Sequence, residues 1–102
     1  MVQRPRGTRD FGPKEMKQRL AFESLLEEQA RRHGFSRVQT PIFESLDLFT
    51  AKSGPGVVSQ LYAFQDKGER NLTLRPELTA PVMRMVAEEL RNETKPLRLS
   101  YF

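Results

Sequence analysis

The chain has 102 residues and a mass of 11.8 kDa, room for one domain and little more. Its 37% apolar and 29% charged composition is that of a soluble globular chain, and the absence of cysteine excludes a disulfide scaffold, a thiolate zinc site and a thiol nucleophile. A net charge of +4 and a pI near 9.9 raise nucleic acid as a partner, but the excess forms no one-sided stripe.

Half of that excess lies at the start. Arg4, Arg6 and Arg9 stand against Asp10, whereas residues 11–34 carry five bases and four acids, and residues 35–102 carry nine and eight. Residues 1–12 read as a basic, Gly-containing arm, and no apolar leader segment follows Met1. No apolar run approaches the roughly 20 residues of a membrane span, so the reading is a cytoplasmic protein without a membrane partner.

Pro13 suits the first turn of a helix, with Glu15 near the positive end of its dipole. Met16, Leu20, Phe22, Leu25, Leu26 and Ala30 recur close to a 3.6-residue period, and Gly34 supplies a left-handed stop. The spacing predicts a helix of about five turns. Phe35 to Phe43 favours a strand, with Pro41 unable to donate to a ladder and so placed at an edge, bulge or interface. Residues 45–52 predict a short helix capped by Ser45, and Ser53-Gly-Pro-Gly56 predicts a loop.

Leu61–Phe64 and Leu72–Arg75 flank Asp66-Lys-Gly-Glu-Arg70, the pattern of a hairpin. A second long helix begins at Leu78 or Thr79 and carries Val82, Met83, Val86 and Leu90 at helical spacing; Asn92 to Lys95 ends it before Pro96. Leu97, Leu99 and Tyr101 then alternate with polar residues as a final strand. The chain stops inside that alternating run, which reads as the first part of a longer protein. The fold class is α+β, antiparallel strands flanked by helices.

Glu77 stands out chemically. It follows Pro76 where a strand gives way to a helix, and Thr79 lies two residues on. A carboxylate there is held ionised by the helix dipole and free N–H groups, either to cap the helix or to receive an ammonium or imidazole N–H. Arg75 and Arg84 flank the junction as candidate pocket or phosphate supports, or as partners in intrachain ion pairs. The single His33 has no cysteine or second histidine to complete a metal site, which leaves a helix C-cap or a ring packed near Gly34. Ser53-Gly-Pro-Gly56 lacks the Lys-Ser/Thr of a phosphate-binding loop, and no Ser/His/Asp set can be assembled, so no residue is assigned a catalytic or metal-binding role.

Three ordered segments carry a resemblance: Arg6-Gly-Thr-Arg-Asp-Phe-Gly-Pro13, Gly34-Phe-Ser-Arg-Val-Gln-Thr-Pro-Ile-Phe-Glu44 and Thr73-Leu-Arg-Pro-Glu-Leu-Thr-Ala-Pro81. Together, over essentially the whole chain, they resemble the N-terminal catalytic region of the histidyl-tRNA synthetases, class II aminoacyl-tRNA synthetases. The resemblance implies part of a class II antiparallel sheet flanked by helices. Residues 13–44 then correspond to the helix and strand of a homodimer interface, with Gly34, Phe35 and Pro41 in it. Residues 61–102 correspond to a hairpin, the helix of the histidine pocket and the start of the second class II motif.

Glu77 and Thr79 match positions that bind the amino group and imidazole of histidine, and Leu78 stands between them where many members have glycine. The implied activity is ATP-dependent activation of histidine, through a histidyl-adenylate with magnesium on the ATP phosphates, and transfer to tRNA. ATP and magnesium belong to the parent enzyme; the segment alone, lacking the Arg-x-Glu of the second motif, is expected to hold neither tightly and to be inactive. Two alternatives stay open. One is a regulatory, synthetase-like subunit of ATP phosphoribosyltransferase, against which Glu77, Pro81 and the arm speak; the other is a stand-alone dimerisation module. Direct tRNA contact by this segment would fall to the Arg4–Arg9 arm.

Overall fold

The computed structural model describes all 102 residues, which divide into two units, Met1–Ser36 and Arg37–Phe102. In the first, α1 (Pro13–Arg32) starts on proline, where the missing N–H costs nothing, with Glu15 in its first turn. Its end is a Schellman motif. Gly34 sits at φ +83°, its N–H donates to the Arg31 carbonyl and the Phe35 N–H donates to that of Ala30. The predicted stop is therefore local backbone chemistry, met by the one residue type for which a positive φ is free of strain.

The arm ahead of α1 is folded rather than extended. Arg4 Nε donates to the Thr8 carbonyl at 2.8 Å, Arg9 pairs with Glu15, and the guanidinium groups of Arg9 and Arg19 lie 5.0 and 4.5 Å from the Phe11 ring centre. Leu20, Phe22, Leu25 and Leu26 remain exposed, and α1 has no buried residue.

The second unit opens at Arg37, the last residue of β1 (Ser36–Arg37), the strand paired with β5 (Leu99–Ser100); the Val38 N–H donates to the Ser100 carbonyl at 2.9 Å. The single strand expected over 35–43 is instead two short ones, β1 and β2 (Phe43–Ser45). Pro41 breaks it, having no N–H to give a ladder. The carbonyls left by the break are met by Arg75, whose Nη1 lies 3.1 Å from Thr40 O and 3.4 Å from Pro41 O.

β2 pairs antiparallel with β4 (Asn71–Leu74), which pairs antiparallel with β3 (Ala63–Gln65). Glu44, Thr73 and Ala63 stand in register on one face; Phe43 and Leu74 stand on the other. Glu44 and Thr73 are buried, while Phe43, Phe64 and Leu74 are exposed, with Phe43 and Phe64 edge to face at 6.1 Å. The core is small: Phe49, Thr73, Pro81 and Val82.

The hairpin turn falls where expected, although its left-handed residue is Glu69 (φ 62°) and not Gly68. Asp66 makes this possible. One carboxylate oxygen accepts the N–H groups of Gly68 and Arg70 at 2.9 Å each, and the other accepts Arg70 Nε at 2.7 Å.

After β2, α2 (Asp47–Ser53) begins without Ser45 as its cap; Ser45 is paired with Leu72 in the sheet, and Leu46 takes the cap position without a side-chain bond. The expected Ser53–Gly56 loop shrinks to Gly54 alone (φ +79°): Ser53 ends α2 and a 3₁₀ helix runs over Pro55–Gln60. α3 (Thr79–Glu89) buries Pro81 and Val82, and the Lys95 ammonium closes its far end on the carbonyls of Leu90, Arg91 and Glu93 at 2.9–3.1 Å. No helix is long and apolar enough to cross a membrane.

Candidate functional site at the start of α3

The passage from β4 to α3 is Arg75-Pro76-Glu77-Leu78, and it leaves the first N–H groups of α3 without helical partners. The Glu77 carboxylate takes two of them. Oε2 accepts the Thr79 N–H, and Ala80 N lies 3.0 Å from Oε1 and 3.2 Å from Oε2. An ionised carboxylate offers about four acceptor sites, so Glu77 can cap the helix and still receive a further donor. Capping and ligand binding, which looked like alternatives in the sequence, are compatible in this geometry.

Glu77 and Thr79 border a cleft of about 450 Å³, together with Pro76, Phe49, Leu61 and Lys52. That volume lies within the range of small-molecule pockets. The Thr79 hydroxyl is 3.0 Å from the Tyr101 phenol. Leu78 lies apart from this cleft: it borders a smaller cavity of about 90 Å³ with Val82, Thr40, Arg75, Tyr101 and Phe102. Its backbone (φ −106°, ψ −17°) is open to any residue, so the position has no conformational need for glycine.

The two flanking arginines are engaged within the chain. Arg75 braces the broken strand as described. Arg84 reaches the buried Glu44 carboxylate, with Nη2 donating to Oε1 at 3.0 Å and Nε 2.8 Å from Oε2; this second contact is a charge contact, since the Nε N–H is not aligned on an acceptor. Nη1 donates to Glu88 at 2.7 Å. The Glu44 carboxylate raises the Arg84 pKa further above its already high ordinary value, against an opposing desolvation cost, and Glu88 adds to the rise. His33, the C-cap of α1, donates its Nδ1–H to the Gln29 backbone carbonyl, 2.8 Å away.

No group of three or more His, Cys, Asp or Glu side chains converges as a metal site would require. Arg75 and Arg84, the two arginines read as candidate phosphate supports, are thus held by internal partners, whereas ATP phosphates need cations placed on them.

The residues that the sequence did not single out are Tyr101, Phe49, Leu61 and Lys52. Phe49 carried a signal as an apolar residue of a predicted helix. Tyr101 carried none, since 22 residues separate it from Thr79.

A sequence model described as histidyl-tRNA synthetase matches residues 7–102. The chain belongs to the histidyl-tRNA synthetase family. It is 58% identical over 102 residues to a histidine–tRNA ligase of Methanosphaerula palustris, covering 100% of this chain and 25% of that protein. The chain thus spans about a quarter of the length of the curated relatives it matches.

Among solved structures, apo S. aureus histidyl-tRNA synthetase superposes with a TM-score of 0.84 at 38% identity, over 99% of this chain and 24% of that one. An ATP phosphoribosyltransferase regulatory subunit/histidyl-tRNA synthetase from Bacillus halodurans C superposes at 0.79 with 32% identity, over 99% and 26%. The α+β class and the antiparallel sheet read from the sequence are those of this family.

Proposed function

We propose that this chain is a working segment of a histidine–tRNA ligase and supplies part of the pocket that selects histidine. The observation that carries this reading is the Glu77 carboxylate, fixed by the first N–H groups of α3 on the border of the cleft it shares with Thr79. Glu77 and Thr79 receive the ammonium or imidazole N–H of the amino acid, Phe49 and Leu61 give the cleft apolar wall, and Leu78, between the two polar groups in sequence, packs behind them at the smaller cavity. Arg75 supports the pocket by holding the segment before β2, and Arg84 by tying α3 to β2.

In the whole enzyme the reaction is ATP-dependent activation of histidine and transfer to tRNA, in the cytoplasm, by a homodimer. ATP and magnesium belong to that whole enzyme, and this chain alone binds neither tightly. The exposed apolar residues of α1, with Gly34, Phe35 and Pro41, support the dimer interface. The likeness to the regulatory subunit/synthetase gives a second reading, a non-catalytic subunit of ATP phosphoribosyltransferase.

Calorimetric titration with L-histidine and the other amino acids tests the pocket. The ligase reading expects saturable, histidine-selective binding that is lost in Glu77→Ala. Binding that ignores the side chain of the amino acid, or survives Glu77→Ala, contradicts it. Capture of an ATP phosphoribosyltransferase catalytic subunit would favour the second reading.

A further inference from the structure

Thr79 and Tyr101, 22 residues apart in the chain, meet through their hydroxyls. Oγ1 and Oη are 3.0 Å apart, and Tyr101 is the hydrogen-bond partner of the Thr79 hydroxyl. Thr79 borders the larger cleft and Tyr101 the smaller cavity, so the bond runs between the two spaces. A hydroxyl carries one proton and two acceptor sites. An ammonium or a protonated imidazole offers only donors. To receive one, the Thr79 oxygen must send its own proton elsewhere.

We propose that Tyr101 is a positioning residue for the amino-acid site: its phenol oxygen accepts the Thr79 proton and leaves a Thr79 lone pair directed at the substrate ammonium. The inference rests on the histidine reading given above and adds a residue to it. Without the phenol, the Thr79 hydroxyl is free to rotate, and binding must order it and find its proton a new acceptor. Tyr101 touches no substrate in this account; it acts through Thr79.

Tyr101→Phe removes one oxygen and keeps the ring, so the fold is left in place. The test titrates the unaltered chain, Tyr101→Phe, Thr79→Val, Thr79→Ser and the Tyr101→Phe/Thr79→Val pair with three ligands. These are L-histidine, histidinol, which keeps the amine, and imidazolepropionate, which lacks it. Tyr101→Phe is expected to weaken L-histidine and histidinol roughly three- to tenfold and to leave imidazolepropionate unchanged. The effect should vanish in the Thr79→Val background and persist in Thr79→Ser, which retains a hydroxyl.

Equal weakening of all three ligands marks a merely structural tyrosine and overturns the proposal. So does unchanged histidine affinity in Tyr101→Phe, and both results leave the histidine reading standing. Failure of the unaltered chain to bind L-histidine overturns that reading and this inference together.

Discussion

Arg84 on α3 meets the Glu44 carboxylate of β2, a group only 6% exposed, with Nη2 at 3.0 Å and Nε at 2.8 Å. Glu44 would be costly to bury alone, and Arg84 makes that burial tolerable by tying the helix to the strand. Arg84→Ala is expected to cost about 2–3 kcal/mol, less than a fully buried pair because the arginine side chain is 29% exposed. Its other partner, Glu88, is 64% exposed, and Glu88→Ala is expected to cost under about 0.5 kcal/mol. Urea denaturation of both variants checks the contrast; equal losses would contradict it.

Glu77 has two tasks, and they separate by substitution. Glu77→Ala removes the acceptor for the Thr79 and Ala80 N–H groups and should cost about 1 kcal/mol in thermal unfolding. Glu77→Gln keeps an acceptor oxygen and should cost less than half of that. Both should lose histidine affinity, since neither presents a negative charge to a cation. A Glu77→Gln variant with full affinity would show that the charge is dispensable.

Leu78 packs at the smaller cavity with Val82, and its backbone has no need of glycine. Leu78→Gly should therefore destabilise the chain by about 1 kcal/mol through lost apolar contact and leave histidine affinity within about twofold. A gain in affinity would mean that the leucine narrows the amino-acid cleft itself.

The Asp66 carboxyl titrates below its ordinary value, first because its carboxylate accepts the Arg70 N–H, with the Arg70 side chain and Gly68 N–H adding to the effect against a desolvation cost. A depressed folded-state pKa gives stability that is complete above the unfolded carboxylate value, near pH 4, and lost as pH falls through the lower folded value. Protection of the Gly68 and Arg70 amides, taken relative to intrinsic exchange at each pH, should fall only in that acid window. Asp66→Asn should remove the acid response, and an Asp66 titration at or above the ordinary value would contradict the account.

Local signals carried much of this fold and of its site. Pro13 and Gly34 mark both ends of α1 because capping chemistry acts within a few residues. Asp66 to Arg70 marks the hairpin turn for the same reason. Glu77 was legible because its partners, Thr79 and Ala80, are its chain neighbours. Ser45 misled because a distant partner, Leu72, drew it into the sheet, and a serine ahead of an apolar run looks the same in either setting.

The break at Pro41 was legible as an irregularity, while its repair by Arg75, 34 and 35 residues away, was not. Glu44–Arg84 and Thr79–Tyr101 have the same character. Their partners lie 40 and 22 residues apart, and only the fold brings them together.

The most direct measurement is the amide spectrum of the ¹⁵N-labelled chain during titration with L-histidine. The account predicts saturable shifts centred on the Thr79 and Ala80 amides, which the Glu77 carboxylate holds, and their loss in a folded Glu77→Ala variant. Histidine-induced shifts that lie elsewhere, or that persist at these two amides without the Glu77 carboxylate, would contradict it.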